Sequence, residues 1–189
     1  MTRMFAPIVT ERLEIVLPTL ADAPRRLQYY VDNREHFAPW DPERDDTFYT
    51  IERMERWIRD DRDAVTRDAA YSFFLLRRDE PSGGIVGTIG LSNIVRGVFR
   101  ACHLGYSLDR DATGAGYMHE ALTAVIAYAF GPLDLHRLMA NYQPTNERSA
   151  NVLRRLGFTV EGFARDYLYL GGRWRDHILT ALVREPDRP

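Results

Sequence analysis

The chain has 189 residues, a length that one domain fills, and its 45% hydrophobic and 28% charged residues are ordinary for a globular protein with a core of its own. A formal net charge of −2 and a pI of about 6.2 argue against a nucleic-acid footprint, which is usually strongly basic, so no direct nucleic-acid partner is expected. A single cysteine, Cys102, makes neither an internal disulfide nor a thiolate metal site, and a reducing compartment is the simplest setting.

The opening stretch Met1–Pro7 carries no long apolar segment and does not read as a secretory signal. Thr10–Leu17 alternates as a first strand, ended by Pro18. Thr19–Asn33 has helical spacing, with Thr19 or Asp22 as cap and Leu20, Leu27, Tyr30 and Val31 facing inward. Pro39 and Pro42 stop any continuation, since each lacks an N–H and biases its predecessor to extended geometry. A second helix over 50–67 carries the stripe Ile51, Met54, Trp57, Ile58 and Val65. Strands follow at 71–78, 85–91 and 99–108, with turns at 81–84 and 93–97. Tyr117–Phe130 is a helix closed by Gly131-Pro132, and it contains the longest apolar run, Ala121–Phe130, broken at Thr123. That run is far short of the roughly 20 residues a membrane span needs, so no membrane partner is expected. A strand over 135–142, a short helix over 147–156 closed by Gly157, and a hairpin of 158–170 and 173–183 turning at Gly171-Gly172 complete the chain. This order of seven strands and four helices is a mixed α/β domain with an antiparallel middle, not a doubly wound parallel sheet.

The junction Leu104–Met118 carries the chemistry. A strand ends, a loop with Gly114 and Gly116 turns, and a helix begins. Unpaired N–H groups gather at a helix start, its dipole favours an anion, and glycines allow close approach, so a phosphate or pyrophosphate held by main-chain donors is predicted. A dinucleotide-binding loop would place a third glycine where His119 stands, and a nucleotide P-loop would end in Gly-Lys-Ser/Thr, which is absent.

Beyond the next strand lies Asn141–Phe158, with Asn146-Glu147-Arg148-Ser149 and a closing Leu156-Gly157-Phe158. With the glycine loop, this stretch resembles the Gcn5-related N-acetyltransferase (GNAT) superfamily. Thr10-Glu11-Arg12-Leu13, Phe37-Ala38-Pro39-Trp40, Ser92–Phe99, Met139–Tyr142 and Gly172–His177 are similar to segments of its ribosomal-protein-alanine acetyltransferase branch, so the resemblance spans nearly all of 1–189.

The resemblance implies a single acetyltransferase domain over 1–189, with a sheet of about seven strands, largely antiparallel, that splays between the fourth (99–108) and fifth (135–142). It implies acetyl-CoA as co-substrate, no metal, and an acetyl-pantetheine arm lying in the splay. Backbone groups at Ser107 and Leu108 would pair with the arm and polarise its carbonyl, an oxyanion role. Thr113, Gly114, Ala115, Gly116, Tyr117 and Met118 would hold the pyrophosphate, and Asn146 the arm. The amine attacks directly, so Cys102 reads as a packed core thiol.

For the leaving thiolate the superfamily's usual tyrosine is replaced by Leu153. Ser149 matches a serine that serves as acid in a related branch member, with helix capping as its plain alternative. The base is less defined: that relative's glutamate falls at Leu168, and Asp166, two residues earlier on the same strand, shares its face by alternation and stands in for it. A salt bridge is the plainer role for Asp166, and Tyr106 or a water on backbone carbonyls are the other options. His36, Phe37 and Trp40 would line the peptide groove, with core packing of Trp40 an equal reading. The loop departs from the family at Asp111, usually Gln or Arg, and at Ala115, often basic; Arg110 would compensate. Glu120 answers its helix dipole.

The expected partner is the N terminus of a ribosomal protein, acetylated on alanine in the cytoplasm by a monomer or homodimer. Two alternatives are a small amine as acceptor and a non-catalytic acyl-CoA-binding module.

Overall fold

A computed structural model of the protein describes residues 5–185, so Met1–Met4 of the opening stretch lie outside it. In chain order the strands are β1 (Ile8–Val9), β2 (Leu13–Val16), β3 (Tyr71–Arg77), β4 (Gly87–Val95), β5 (Ala101–Leu108), β6 (Arg137–Met139), β7 (Thr159–Leu170) and β8 (Arg173–Val183). The helices are α1 (Ala23–Asp32), α2 (Arg34–Phe37), α3 (Ile51–Thr66), α4 (Tyr117–Phe130) and α5 (Glu147–Arg155). The strands form one sheet in the order β1-β2-β3-β4-β5-β6-β8-β7, antiparallel throughout except for β5–β6.

The eighth strand arises at the start. The expected strand over 10–17 is a hairpin, because Thr10 turns the chain with its hydroxyl accepting from the Leu13 N–H, and Ile8–Val9 folds back on Glu14–Ile15. The extra helix, α2, follows α1 directly and ends before Pro39, as the missing proline N–H requires. The face of α1 differs from the expected one: Leu20 and Val31 are exposed, and Ala23, Arg26, Tyr29 and Tyr30 are buried. A 3-10 turn at Leu20–Asp22, held by the Asp22 carboxylate on the Thr19 N–H, rotates the helix away from the register that assumed one continuous helix. β4 runs on through Asn93 to Val95 where a turn was expected, with an irregular register against β5 between Ser92 and Val95.

The sheet separates two cores. Tyr71, Phe73 and Leu75 of β3 point to α4, where Met118, Leu122, Val125 and Ala129 repeat at helical spacing. Phe74 and Leu76 point the other way, to Tyr30 of α1 and Met54 and Ile58 of α3. Both faces of β3 are therefore buried. No helix among the described residues is long and apolar enough to cross a membrane.

Candidate functional site

The site begins where two strands part. β5 and β6 pair in parallel from Ala101↔Arg137 to His103↔Met139, and β5 continues to Leu108 with no strand beside it on that edge among the described residues. β6 is drawn off by β8, through Arg137↔Val183 to Met139↔Ala181 and then the bridge Tyr142↔Ile178. Strand alternation decides which groups face the gap. Asp109 N–H donates to Val86 on the β4 side, whereas Arg100 C=O accepts from His136 and Arg137 on the β6 side. The backbone groups of Leu104, Tyr106 and Leu108 thus open into the gap, and those of Ser107 turn to β4. The Ser107 hydroxyl is engaged by Tyr29 Oη at 2.8 Å and Thr88 Oγ1 at 2.9 Å.

Tyr106 and Ser149 meet across the gap. Tyr106 Oη lies 2.8 Å from Ser149 Oγ on the first turn of α5. Burial pushes the Tyr106 phenol up to about 12, against the opposing pull of the Ser149 hydrogen bond. A phenol so placed is protonated at neutral pH and is a donor rather than a base. Asn146 caps α5 with its Oδ1 accepting from Ser149 N–H at 3.1 Å, which leaves its Nδ2 as the donor for a ligand.

The glycine loop closes the open end of the gap. Gly114 and Gly116 have φ of 88° and 84°, the left-handed region that glycine occupies without cost. Gly116 is the N-cap of α4 and no side chain caps that end, so the amides of the first turn, beginning at Tyr117 and Met118, are free to meet an anion. Ala115 and Thr113 complete the turn; Thr113 hydroxyl is tied back to Asp109 C=O. Arg110, expected to offset the acid at position 111, pairs with Asp111 itself at 3.5 Å on the exposed surface, where such a pair is weak.

On the opposite side, the segment after α2 walls a cavity of about 530 Å³ whose lining includes Phe37, Asp41, Glu43, Arg44 and Tyr49, closed by Gly171 of the β7–β8 turn. Gly171 N–H donates to Asp41 C=O, and Gln143 Nε2 to Pro39 C=O, so hairpin, segment and gap are linked. Phe37 is also a core residue, packed on Tyr29 and Tyr30, while the His36 ring lies tilted against it at 48° and Trp40 is half-buried.

The fold that carries this gap and glycine loop is shared with known proteins. The acetyltransferase (GNAT) domain profile matches residues 12–159. The [ribosomal protein uS5]-alanine N-acetyltransferase of Escherichia coli (strain K12) is 43% identical over 180 residues, 95% of this chain and 91% of that protein. The chain belongs to the GNAT acetyltransferase family. Among solved structures, ribosomal-protein-S5-alanine acetyltransferase from Vibrio fischeri superposes with a TM-score of 0.90 at 38% identity, covering 98% of this chain and all of the other. Mycobacterium smegmatis RimJ in complex with CoA-disulfide follows with a TM-score of 0.86 at 26% identity, over 94% of this chain and 84% of that one.

Within this GNAT chain the structure brings Tyr106, Ser149 and Asn146 together but sets Asp166 apart. Asp166 is exposed, its backbone is left-handed with φ 48°, and its N–H donates to the Asp176 carboxylate at 2.9 Å. The register of β7 against β8 shifts between Ala164 and Leu168, so alternation no longer assigns Asp166 and Leu168 to one face. Three residues that local sequence patterns did not single out brace the site: Tyr29 on Ser107, buried Asn33 on Asp109 and Arg110, and Arg12 on Ala115. Arg12 alone had a signal, since it stands within Thr10–Leu13. Cys102 is fully buried and its thiol is pushed up to about 12 by burial, which removes it as a nucleophile.

Proposed function

We propose that this GNAT acetyltransferase transfers acetyl from acetyl-CoA to the N-terminal alanine of a ribosomal protein in the cytoplasm, with residues 1–189 acting as one domain. The observation that carries the mechanism is the free edge of β5 beside the uncapped start of α4, spanned by the Tyr106–Ser149 pair. The chemistry of the donors fits acetyl-CoA: main-chain amides between Gly114 and Met118 for a diphosphate, the Thr113 N–H being taken by Arg110 C=O, and a strand edge for an extended amide-bearing arm. The acceptor assignment is supported by the uS5-alanine N-acetyltransferase at 43% identity.

Bound acetyl-CoA supplies an activated acetyl group. Leu108 N–H, facing the gap, polarises the thioester carbonyl, and Asn146 Nδ2 positions the arm. The acceptor amine attacks directly, the new amide forms as the C–S bond breaks, and Ser149, backed by Tyr106, gives the thiolate its proton. The protonated amine loses its proton to water or backbone-held solvent. An α-amino group with a pKa of about 7.7–8.0 is already about a tenth neutral near pH 7, whereas a lysine at about 10.4 is neutral less than one part in a thousand, so a site without a strong base favours N-terminal amines. The acceptor enters through the cavity between the segment after α2 and the β7–β8 turn, past Phe37; His36 and Trp40 stand outside its lining.

The test follows free-thiol release from acetyl-CoA with three acceptors: an alanine-starting peptide, the same peptide with its N terminus blocked and one lysine free, and a small polyamine. Turnover confined to the first is expected. Equal rates on the lysine amine, a preference for the polyamine, or no thiol release with any acceptor overturns the assignment.

A further inference from the structure

The hairpin at the start of the chain reaches the glycine loop from a distance of more than a hundred residues. Glu120, on the first turn of α4, accepts three hydrogen bonds from it: Thr10 Oγ1 at 2.6 Å, Arg12 N at 2.8 Å and Arg12 Nε at 2.7 Å. Arg12 Nη1 donates to Ala115 C=O at 2.8 Å, and the guanidinium lies over the Tyr117 ring, 4.5 Å from its centroid. Nη2 sits beside Gly116, 3.4 Å from where a Cβ would stand. Two of the three guanidinium nitrogens are thus spent on fixing geometry, and the third is directed at the loop. The side chain remains 40% exposed, so solvent and ligand can reach it. At its other end the loop is pinned by Asn33, through Nδ2 to Asp109 Oδ2 at 2.7 Å and Oδ1 from Arg110 N at 2.9 Å.

The loop needs such a brace. A carbonyl pointing into a diphosphate site repels the anion, and Ala115 C=O is held by Arg12. Asp111 stands where the family usually has Gln or Arg and Ala115 where it is often basic, and the loop's own Arg110 is paired with Asp111.

We propose that Arg12, set by Glu120 and Thr10, is the positioning residue of the donor site: it fixes the glycine loop with its amides outward and brings the positive charge that the diphosphate meets. This inference rests on acetyl-CoA as donor, and the unaltered protein tests that separately.

The experiment compares acetyl-CoA with S-acetylpantetheine, which carries the same thioester and arm but no diphosphate. R12Q is expected to raise KM for acetyl-CoA about tenfold to a hundredfold, the size of a lost charge-assisted contact, with kcat at saturating donor within about twofold. Its kcat/KM on S-acetylpantetheine stays within about twofold of the unaltered protein. R12K, which keeps the charge but not the fork to Glu120 and Ala115, falls between the two. A merely structural Arg12 lowers kcat/KM on both donors alike, and that result, or no change on either, overturns the proposal. If R12Q does not fold, R12K and E120Q carry the same comparison. Absence of turnover by the unaltered protein on both donors instead refutes the reading of the donor itself.

Discussion

Tyr106 and Ser149 show how burial assigns a role that residue type leaves open. A tyrosine in an active site serves as base when its phenol is acidified and as acid when it is not. Here burial pushes it up to about 12, so it keeps its proton across the neutral range. The expected kinetics follow from that direction. Y106F lowers kcat about 10²-fold or more, the usual worth of a positioned acid, with little change in KM for acetyl-CoA. In the unaltered enzyme kcat/KM for an alanine-starting peptide rises through about pH 8 as the amine deprotonates, and shows no loss from Tyr106 ionisation below about pH 10. Steady-state thiol release across pH checks both, and an acidic limb that disappears in Y106F would show Tyr106 acting as base.

The loop between β5 and α4 is the element on which the proposed donor binding turns, and its two glycines can be told apart. Gly114 and Gly116 share a left-handed backbone, and alanine at either costs about 1–2 kcal/mol in strain. A methyl group at 114 meets nothing within 4 Å, whereas one at 116 comes within 3.4 Å of Arg12 Nη2. G114A and G116A are therefore expected to lose similar stability in urea unfolding; both raise KM for acetyl-CoA, because a methyl at either keeps the diphosphate from the loop, and G116A raises it further through Arg12. Glu120 adds a pH term. Burial pushes its carboxyl up, but the hydrogen bonds from Thr10 and Arg12 outweigh that and hold it below its ordinary value of 4.5. A carboxyl depressed in the folded state contributes stability above its unfolded value and loses it as pH falls through the folded one. Acid unfolding that begins below about pH 4.5 is expected to be shallower in E120Q.

At the scale of the molecule, the core under α1 and α3 is built around a charge. Arg26 is buried, with Nη1 on Asp61 at 2.8 Å and its guanidinium 3.5 Å from the Trp57 ring centroid, while its Nε has no hydrogen-bond partner. Removing one member of a buried pair strands the other, so R26A is expected to cost about 3–5 kcal/mol in urea unfolding, and R26M less, because methionine refills the space over Trp57. Equal losses would show that the ion pair, and not packing, carries the effect.

Much of this architecture was legible in the residues. α4 and β8 begin and end where their spacing places them, because glycine and proline punctuate them and an apolar face runs the length of α4. The first hairpin, α2 and the far end of β4 were not, since a threonine hydroxyl in a turn, a single helical turn and an irregular register leave no periodic trace.

Local patterning therefore settled the class of fold, since periods of 2 and 3.6 act over a few neighbours, while the family was carried by the likeness of whole motifs such as Asn146–Ser149 and Gly172–His177. It did not reach Tyr106 on Ser149, 43 residues apart, or Arg12 on Glu120, 108 residues apart. Those meetings depend on where β6 leaves β5 and on how the chain crosses the sheet, and that is fixed by the packing of both cores at once rather than by any single segment.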